Sequence, residues 1–183
     1  MEIKLSNLTE INGLTKPSGT SALGMKLALS SGKMKPSEVL EECIANIDLY
    51  EEHLGAWAYI NIDGAREVAR ELDNKKPSGA LFGIPFAIKD NIDTFDMLTE
   101  YGTDIYLGYQ PGRDAACVAG MRSSNGVALG KTICTEFAHR HPGKTANPWN
   151  IEHTPGGSSS GSAAAVASGM VPICLLYTSP SPR

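Results

Sequence analysis

Thr154-Pro155-Gly156-Gly157-Ser158-Ser159-Ser160-Gly161-Ser162-Ala163-Ala164-Ala165-Val166-Ala167-Ser168-Gly169 is the stretch around which this chain can be read. Its glycines admit a backbone turn where a Cβ would clash. Three consecutive serines follow, each able to donate and to accept a hydrogen bond. The small residues after them read as a tightly packed helix. Hydroxyls gathered on a turn at a helix N-terminus mark a candidate reaction site, with the rest of the chain as the scaffold that brings partners to it.

The 183 residues suffice for one substantial core, or for one domain cut short. Hydrophobic residues make up 42% and charged residues 20%, the balance of a soluble globular protein and not of a disordered one. A net charge of −4 gives no electrostatic reason to expect nucleic acid or an anionic membrane as a partner. No apolar run reaches the length of a membrane span, and no secretory signal is visible after Met1. Cys43, Cys117, Cys134 and Cys174 form no Cys-x-x-Cys pair, so reduced thiols in a cytoplasmic protein are expected. Cys43 and Cys117 are assigned to the core as small residues.

Short strands alternate with helices, which points to an α/β layered fold. A polar, irregular arm is expected over residues 1–20. Leu23, Leu27 and Ala28 stand at helical spacing between Ser21 and Ser31, with Gly32 as the stop. Pro36 and Glu38 open a second helix whose stripe is Leu40, Ile44, Ile47 and Leu54, with Glu41, Glu42 and Glu51 off it. Ala56–Ile60 reads as a strand, and Asp63 as the cap of a helix through Val68 and Leu72. Ile84–Ile88 reads as a buried strand with Pro85 near its start, delivering Lys89-Asp90-Asn91 at its carboxyl end, where open α/β sheets place ligands. Asp114–Ser124 reads as a helix and Val127–Leu129 as a strand. The segment from Ala138 to Gly161 is a loop long enough to be functional.

A serine becomes a nucleophile only beside a base, and a lysine can serve if it is neutral. Lys89 follows an apolar run, and burial would strip its proton. The competing reading is that Lys89 pairs with Asp90 or another carboxylate at the sheet edge. Gly83-Ile84-Pro85-Phe86-Ala87-Ile88-Lys89-Asp90-Asn91, then Gly130-Lys131-Thr132, then Thr154 through Ala165, closely resembles the amidase signature family. The match runs from about Ser21 to Ile173, and the two longer motifs in this order are specific together. The resemblance implies a mixed β-sheet flanked by helices, present here as an incomplete N-terminal part. It also implies a Ser–cis-Ser–Lys triad that hydrolyses amides without metal or organic cofactor. Carried over, Lys89 is the general base and Ser158 the bridging serine, with a cis Gly157–Ser158 peptide. Asp90, Gly156, Gly157 and Ser159 support them, with Ser159 and Ser160 holding the loop.

The nucleophile implied by the resemblance falls at position 182, which is Pro182, and no Thr-Gly-Gly-Ser occurs. Agreement with the family stops at Ile173. The remainder, Cys174-Leu175-Leu176-Tyr177-Thr178-Ser179-Pro180-Ser181-Pro182-Arg183, looks like a translated sequencing adapter. The domain expectation is therefore an arm over 1–20, the N-terminal part of an amidase domain over 21–173, and a non-native tail over 174–183. The expected partner is a small-molecule amide, with no nucleic acid bound directly and no membrane. A homo-oligomer stays open for the full-length parent.

Other readings stand beside this one. Within the family, the A-type subunit of a tRNA-dependent glutamine amidotransferase carries similar lysine and serine motifs. It has a longer interval and a Met-Asp-Glu-Phe-Ala run where this chain has Cys134-Thr135-Glu136-Phe137-Ala138-His139, so a stand-alone amidase is favoured. Gly156 and Gly161 have the spacing of a phosphate-binding loop, but Ser162 and Ala163 replace its Lys and Ser/Thr. Cys134, His139, His141 and His153 lie close in sequence without a regular metal-ligand pattern, and no metal is assigned. The fragment by itself could also lack any function, its sheet edges left exposed.

Overall fold

In a computed structural model, the structure describes residues 21–176 and, before them, the backbone of Glu10–Ile11 (β1) and Leu14–Thr15 (β2), which pair antiparallel. Most of the expected arm, residues 177–183 of the expected tail, and Pro182 with them, lie outside the described residues.

Helix α1 (Ala22–Ser30) starts where Ser21 Oγ accepts the Gly24 N–H at 3.2 Å. The helix is as expected, but its buried side is not. Leu23 and Leu27 are 67% and 63% exposed, while Met25 and Leu29 enter the core. Apolar residues lie on more than one side of this short helix, so spacing alone does not choose the face; Leu29 lies beside Gly83, and that contact does.

Helix α2 (Pro36–Leu54) buries the whole expected stripe of Leu40, Ile44, Ile47 and Leu54, together with Val39, Cys43 and Tyr50. Gly55, at φ +56°, ends it in the left-handed conformation that glycine adopts without strain. Glu51 is off the stripe, yet its carboxylate turns back to the chain. Its two oxygens accept the Ala56 and Trp57 N–H groups, both at 2.9 Å. These donors open strand β3 (Trp57–Ile60). Glu51→Ala leaves both without that acceptor and should cost about 1–3 kcal/mol. The urea midpoint should fall at unchanged slope; an unmoved midpoint would show that water replaces the carboxylate.

Helix α3 (Ile62–Asp73) is capped by Asn61, whose Oδ1 accepts the Gly64 N–H at 3.2 Å, and not by Asp63. The chain leaves the strand at Asn61, which holds the non-helical geometry of a cap. Asp63 already lies in the first turn, where its charge suits the helix N-terminus. Strand β4 (Pro85–Lys89) is buried at every residue. Helix α4 (Ala116–Ser123) begins after Asp114, whose carboxylate instead accepts the Phe95 N–H and faces Arg122, each at 3.1 Å. Cys117 is exposed and not a core residue, because α4 buries only Val118. Strand β5 (Val127–Thr132) runs three residues past the expected end. Helix α5 (Ser160–Ala167) and strand β6 (Ile173–Leu175) follow.

The four longer strands form one mixed sheet in the order β3-β5-β4-β6. β3 is antiparallel to β5, while β5, β4 and β6 are parallel. Side chains alternate between faces. Ala87, Val127 and Leu129 pack with α1, α2, α3 and α5, whereas Phe86, Ile88 and Ala128 pack with Ile92, Met97 and Val118. Among the described residues no helix is long and apolar enough to cross a membrane.

Candidate active site

Because β4, β5 and β6 are parallel, their carboxyl ends open on one edge of the sheet, and Lys89 and Thr132 end their strands there. Lys89 is 3% exposed. Its Nζ donates to Ser158 Oγ at 2.8 Å. The structure thus joins two residues far apart in the chain, one from a strand end and one from the turn before α5. The Gly157–Ser158 peptide is cis.

Contacts with the end of β5 hold the serine turn. The Ser158 carbonyl accepts the Thr135 N–H, and the Ile133 carbonyl accepts the Gly161 N–H, both at 3.0 Å. That second bond uses a helix-start N–H that a phosphate-binding loop would keep free for its ligand. The Oγ atoms of Thr132 and Ser162 are 2.8 Å apart. Gly161 is required by close approach, since a Cβ there would collide with the Ala56 carbonyl and stand 2.5 Å from Ile133 N. Gly157 packs on the Thr135 methyl, and Gly156, at φ +91°, takes a conformation suited to glycine. Ser159 occupies the cap position of α5 without a side-chain cap bond. Ser160 Oγ is buried with no hydrogen-bond partner among the described residues. The loop is therefore held by backbone bonds and glycine packing, not by the hydroxyls of Ser159 and Ser160.

Burial holds the Lys89 amine below the ordinary lysine range. The ionisable groups that act on it are the thiols of Cys134 and Cys174, and burial raises both, so they stay protonated and neutral near pH 7. Asp90 follows Lys89 directly but does not pair with it. Its carboxylate faces Lys131 Nζ at 3.5 Å and accepts the Glu100 N–H at 3.3 Å. Burial pushes Asp90 up to about 6, against the pull of Lys131. The salt bridge weighed from the sequence is absent because β4 ends at Lys89 and the turn that follows hands the Asp90 carboxylate to Lys131 and the Glu100 N–H, while Lys89 meets Ser158.

Lys131 is the polar residue that sequence reading passed over, named there only within Gly130-Lys131-Thr132. It is fully buried, and its Nζ donates to Thr99 Oγ1 at 2.5 Å and to the Leu98 carbonyl at 3.2 Å. The strand expected to end at Leu129 hid it; continued by two residues, that strand carries a lysine into the interior.

His139 and His141 belong to a loop beside the site. The His139 carbonyl accepts Thr135 Oγ1–H at 2.8 Å, and the His141 carbonyl accepts the Glu136 N–H at 3.1 Å. Phe137 and Ala138, at φ +48° and +57°, turn the chain sharply just before these histidines. A cavity beside this turn is lined by Asp90, Glu100, Cys134, Glu136, His141 and Lys144, among others. Among the described residues no group of three or more His, Cys, Asp or Glu is arranged to hold a metal ion. A buried amine of lowered proton affinity on a serine hydroxyl can take up a proton through that hydroxyl.

The family model described as Amidase matches residues 38–175. This chain belongs to the amidase family. It is 38% identical over 148 residues to the A-type subunit of the glutamyl-tRNA(Gln) amidotransferase of Macrococcus caseolyticus (strain JCSC5402), covering 78% of this chain and 31% of that one. It is 40% identical over 153 residues to the protein of the same name from Halothermothrix orenii (strain H 168 / OCM 544 / DSM 9562), covering 80% and 31%. Among solved structures, the peptide amidase from Stenotrophomonas maltophilia superposes with a TM-score of 0.78 at 30% identity, covering 84% of this chain and 35% of that one. A 6-aminohexanoate cyclic dimer hydrolase gives 0.76 at 29%, covering 84% and 33%. The amidase chain thus spans about a third of the length of the relatives it matches. The mixed sheet with flanking helices is the fold of that part of these enzymes.

Proposed function

We propose that this chain is the N-terminal part of an enzyme that hydrolyses a carboxamide C–N bond through a seryl acyl-enzyme. Lys89 is its general base and Ser158 the hydroxyl that carries protons between nucleophile and lysine. The observation that carries the reading is the 2.8 Å contact between the buried Lys89 amine and Ser158. The attacking serine loses its proton to Ser158 as Ser158 passes its own to Lys89. Attack on the amide carbon gives a tetrahedral oxyanion, and the proton returns by the same route to the leaving amine as the C–N bond breaks. Water, activated in the same way, releases the acid.

Position 182, where the resemblance places the nucleophile, is proline, which offers neither a hydroxyl nor a backbone donor for the oxyanion. The chain with this sequence should release no ammonia from small carboxamides above the buffer rate. Reproducible turnover abolished by Lys89→Ala would overturn that expectation. The parent is read as a cytoplasmic, stand-alone enzyme acting on a small carboxamide.

A second reading is favoured by the sequence relatives at 38% and 40% identity, both of them A-type chains of glutamyl-tRNA(Gln) amidotransferases. There the same relay would release ammonia from glutamine inside a complex. Ammonia release from simple amides by a full-length version without partner chains supports the first reading. Strict dependence on glutamine and on added partner chains supports the second.

A further inference from the structure

Lys131 and Asp90 form a buried pair that the proposed relay does not use. Burying two opposite charges is costly and seldom a net gain in stability, so the pair invites a role in the site. The ladder sets Ile88 against Lys131 and Lys89 against Thr132. Lys89 and Thr132 therefore share the face toward α5, where they meet Ser158 and Ser162. Lys131 shares the other face with Ile88 and meets Leu98, Thr99 and Asp90. The Asp90 backbone is held by two hydrogen bonds, and Lys131 is the cation on its side chain. Its N–H donates to the Thr132 carbonyl at 2.9 Å, its carbonyl accepts the Tyr101 N–H at 3.0 Å, and its carboxylate lies between Lys131 and the Glu100 N–H.

We propose that Lys131 is a positioning residue for the Lys89–Ser158 pair: it holds the Asp90 carboxylate on the far face of the sheet, so that the Lys89 amine meets a hydroxyl and no carboxylate. The proposal rests on the reading of Lys89 as a base. A lysine beside a carboxylate keeps its proton, whereas one facing only a hydroxyl and neutral thiols can give it up. The ionisable groups acting on Lys89 are Cys134, after β5, and Cys174, in β6. Those facing Lys131 are Asp90, Asp93 and Cys134, and Glu100 also acts on Asp90.

The test is a pH titration of the full 183-residue chain carrying ¹³C-labelled lysine, followed by NMR, with the Lys89 resonance assigned by its loss in Lys89→Gln. In Lys131→Met the freed Asp90 should raise the Lys89 midpoint by about one pH unit, and Lys131→Met with Asp90→Asn should return it to the wild-type value. In Asp90→Asn alone the midpoint should move by less than about half a unit, because the carboxylate does not reach Lys89. An unmoved midpoint in Lys131→Met overturns the proposal. So does a rise that persists in the double variant, or a fall of about one unit or more in Asp90→Asn. If Lys131→Met does not fold, Lys131→Gln, which removes the charge but keeps a polar side chain, takes its place with the same outcomes expected. A wild-type Lys89 titrating with the surface lysines would instead sink its role as base, while the variants would still report whether Lys131 keeps Asp90 away.

Discussion

In the proposed full-length enzyme, with residues 21–173 joined to a segment that supplies the nucleophilic serine, Lys89→Ala is expected to lower kcat about a hundred- to ten-thousandfold, with little change in KM. Ser158→Ala should cost a similar factor. In the proposed relay Lys89 is the sink for the proton and Ser158 its path, so removing either breaks the same relay. The double variant should therefore be no slower than the slower single one, the mark of groups that act as a unit. The pH dependence follows from burial of the amine. Only neutral Lys89 can accept a proton, so the rate rises with pH as Lys89 loses its own and then levels. Because burial lowers the Lys89 pKa, this rise falls at lower pH than an ordinary lysine would place it. Lys89→Arg, which stays protonated, should not restore the rate. Near-normal kcat in Lys89→Ala or Ser158→Ala would remove that residue from the relay.

Gly161→Ala is the substitution expected to damage the fold most, by about 3 kcal/mol or more. The added methyl would meet the Ala56 carbonyl and both backbone atoms of Ile133, at 2.5 Å from N and 3.0 Å from O. None of these can give way cheaply, because the Ile133 N–H already donates to the Ala56 carbonyl at 2.9 Å and holds the ends of β3 and β5 together. Relief must come from α5 lifting off the sheet, which breaks the bond from Gly161 N–H to the Ile133 carbonyl and draws Ser158 away from Lys89. Chemical denaturation of the chain should show a large fall in midpoint at similar slope. A wild-type midpoint would mean that α5 can shift without cost, and that the close packing at Gly161 is not needed.

Much of this was legible in the sequence, and the misses share a cause. The stripe of α2 was readable because four apolar residues recur on one side and carboxylates occupy the other. The side of α1 was not, because Leu23 and Leu27 compete with Met25 and Leu29, and only the contact with Gly83 decides between them. Asp63 and Asn61 are both good caps, and the choice depends on where β3 releases the chain. Cys117 looked like a core residue by type, but α4 turns only Val118 inward.

The sequence by itself determined which residues could carry chemistry, since a lysine after an apolar strand and a glycine-serine turn before a small-residue helix are local patterns. It also determined the family, through motifs whose order along the chain is specific. The tertiary structure alone decided what each charged group faces. Parallel pairing of β4 and β5 sets Lys89 on the α5 face, where it meets Ser158, and Lys131 on the opposite face, where it meets Asp90. Adjacent residues of a strand point apart, and residues distant in sequence meet across a ladder. Lys89 ends β4 and Asp90 begins the turn after it, so these neighbours in the chain meet different partners and belong to different networks.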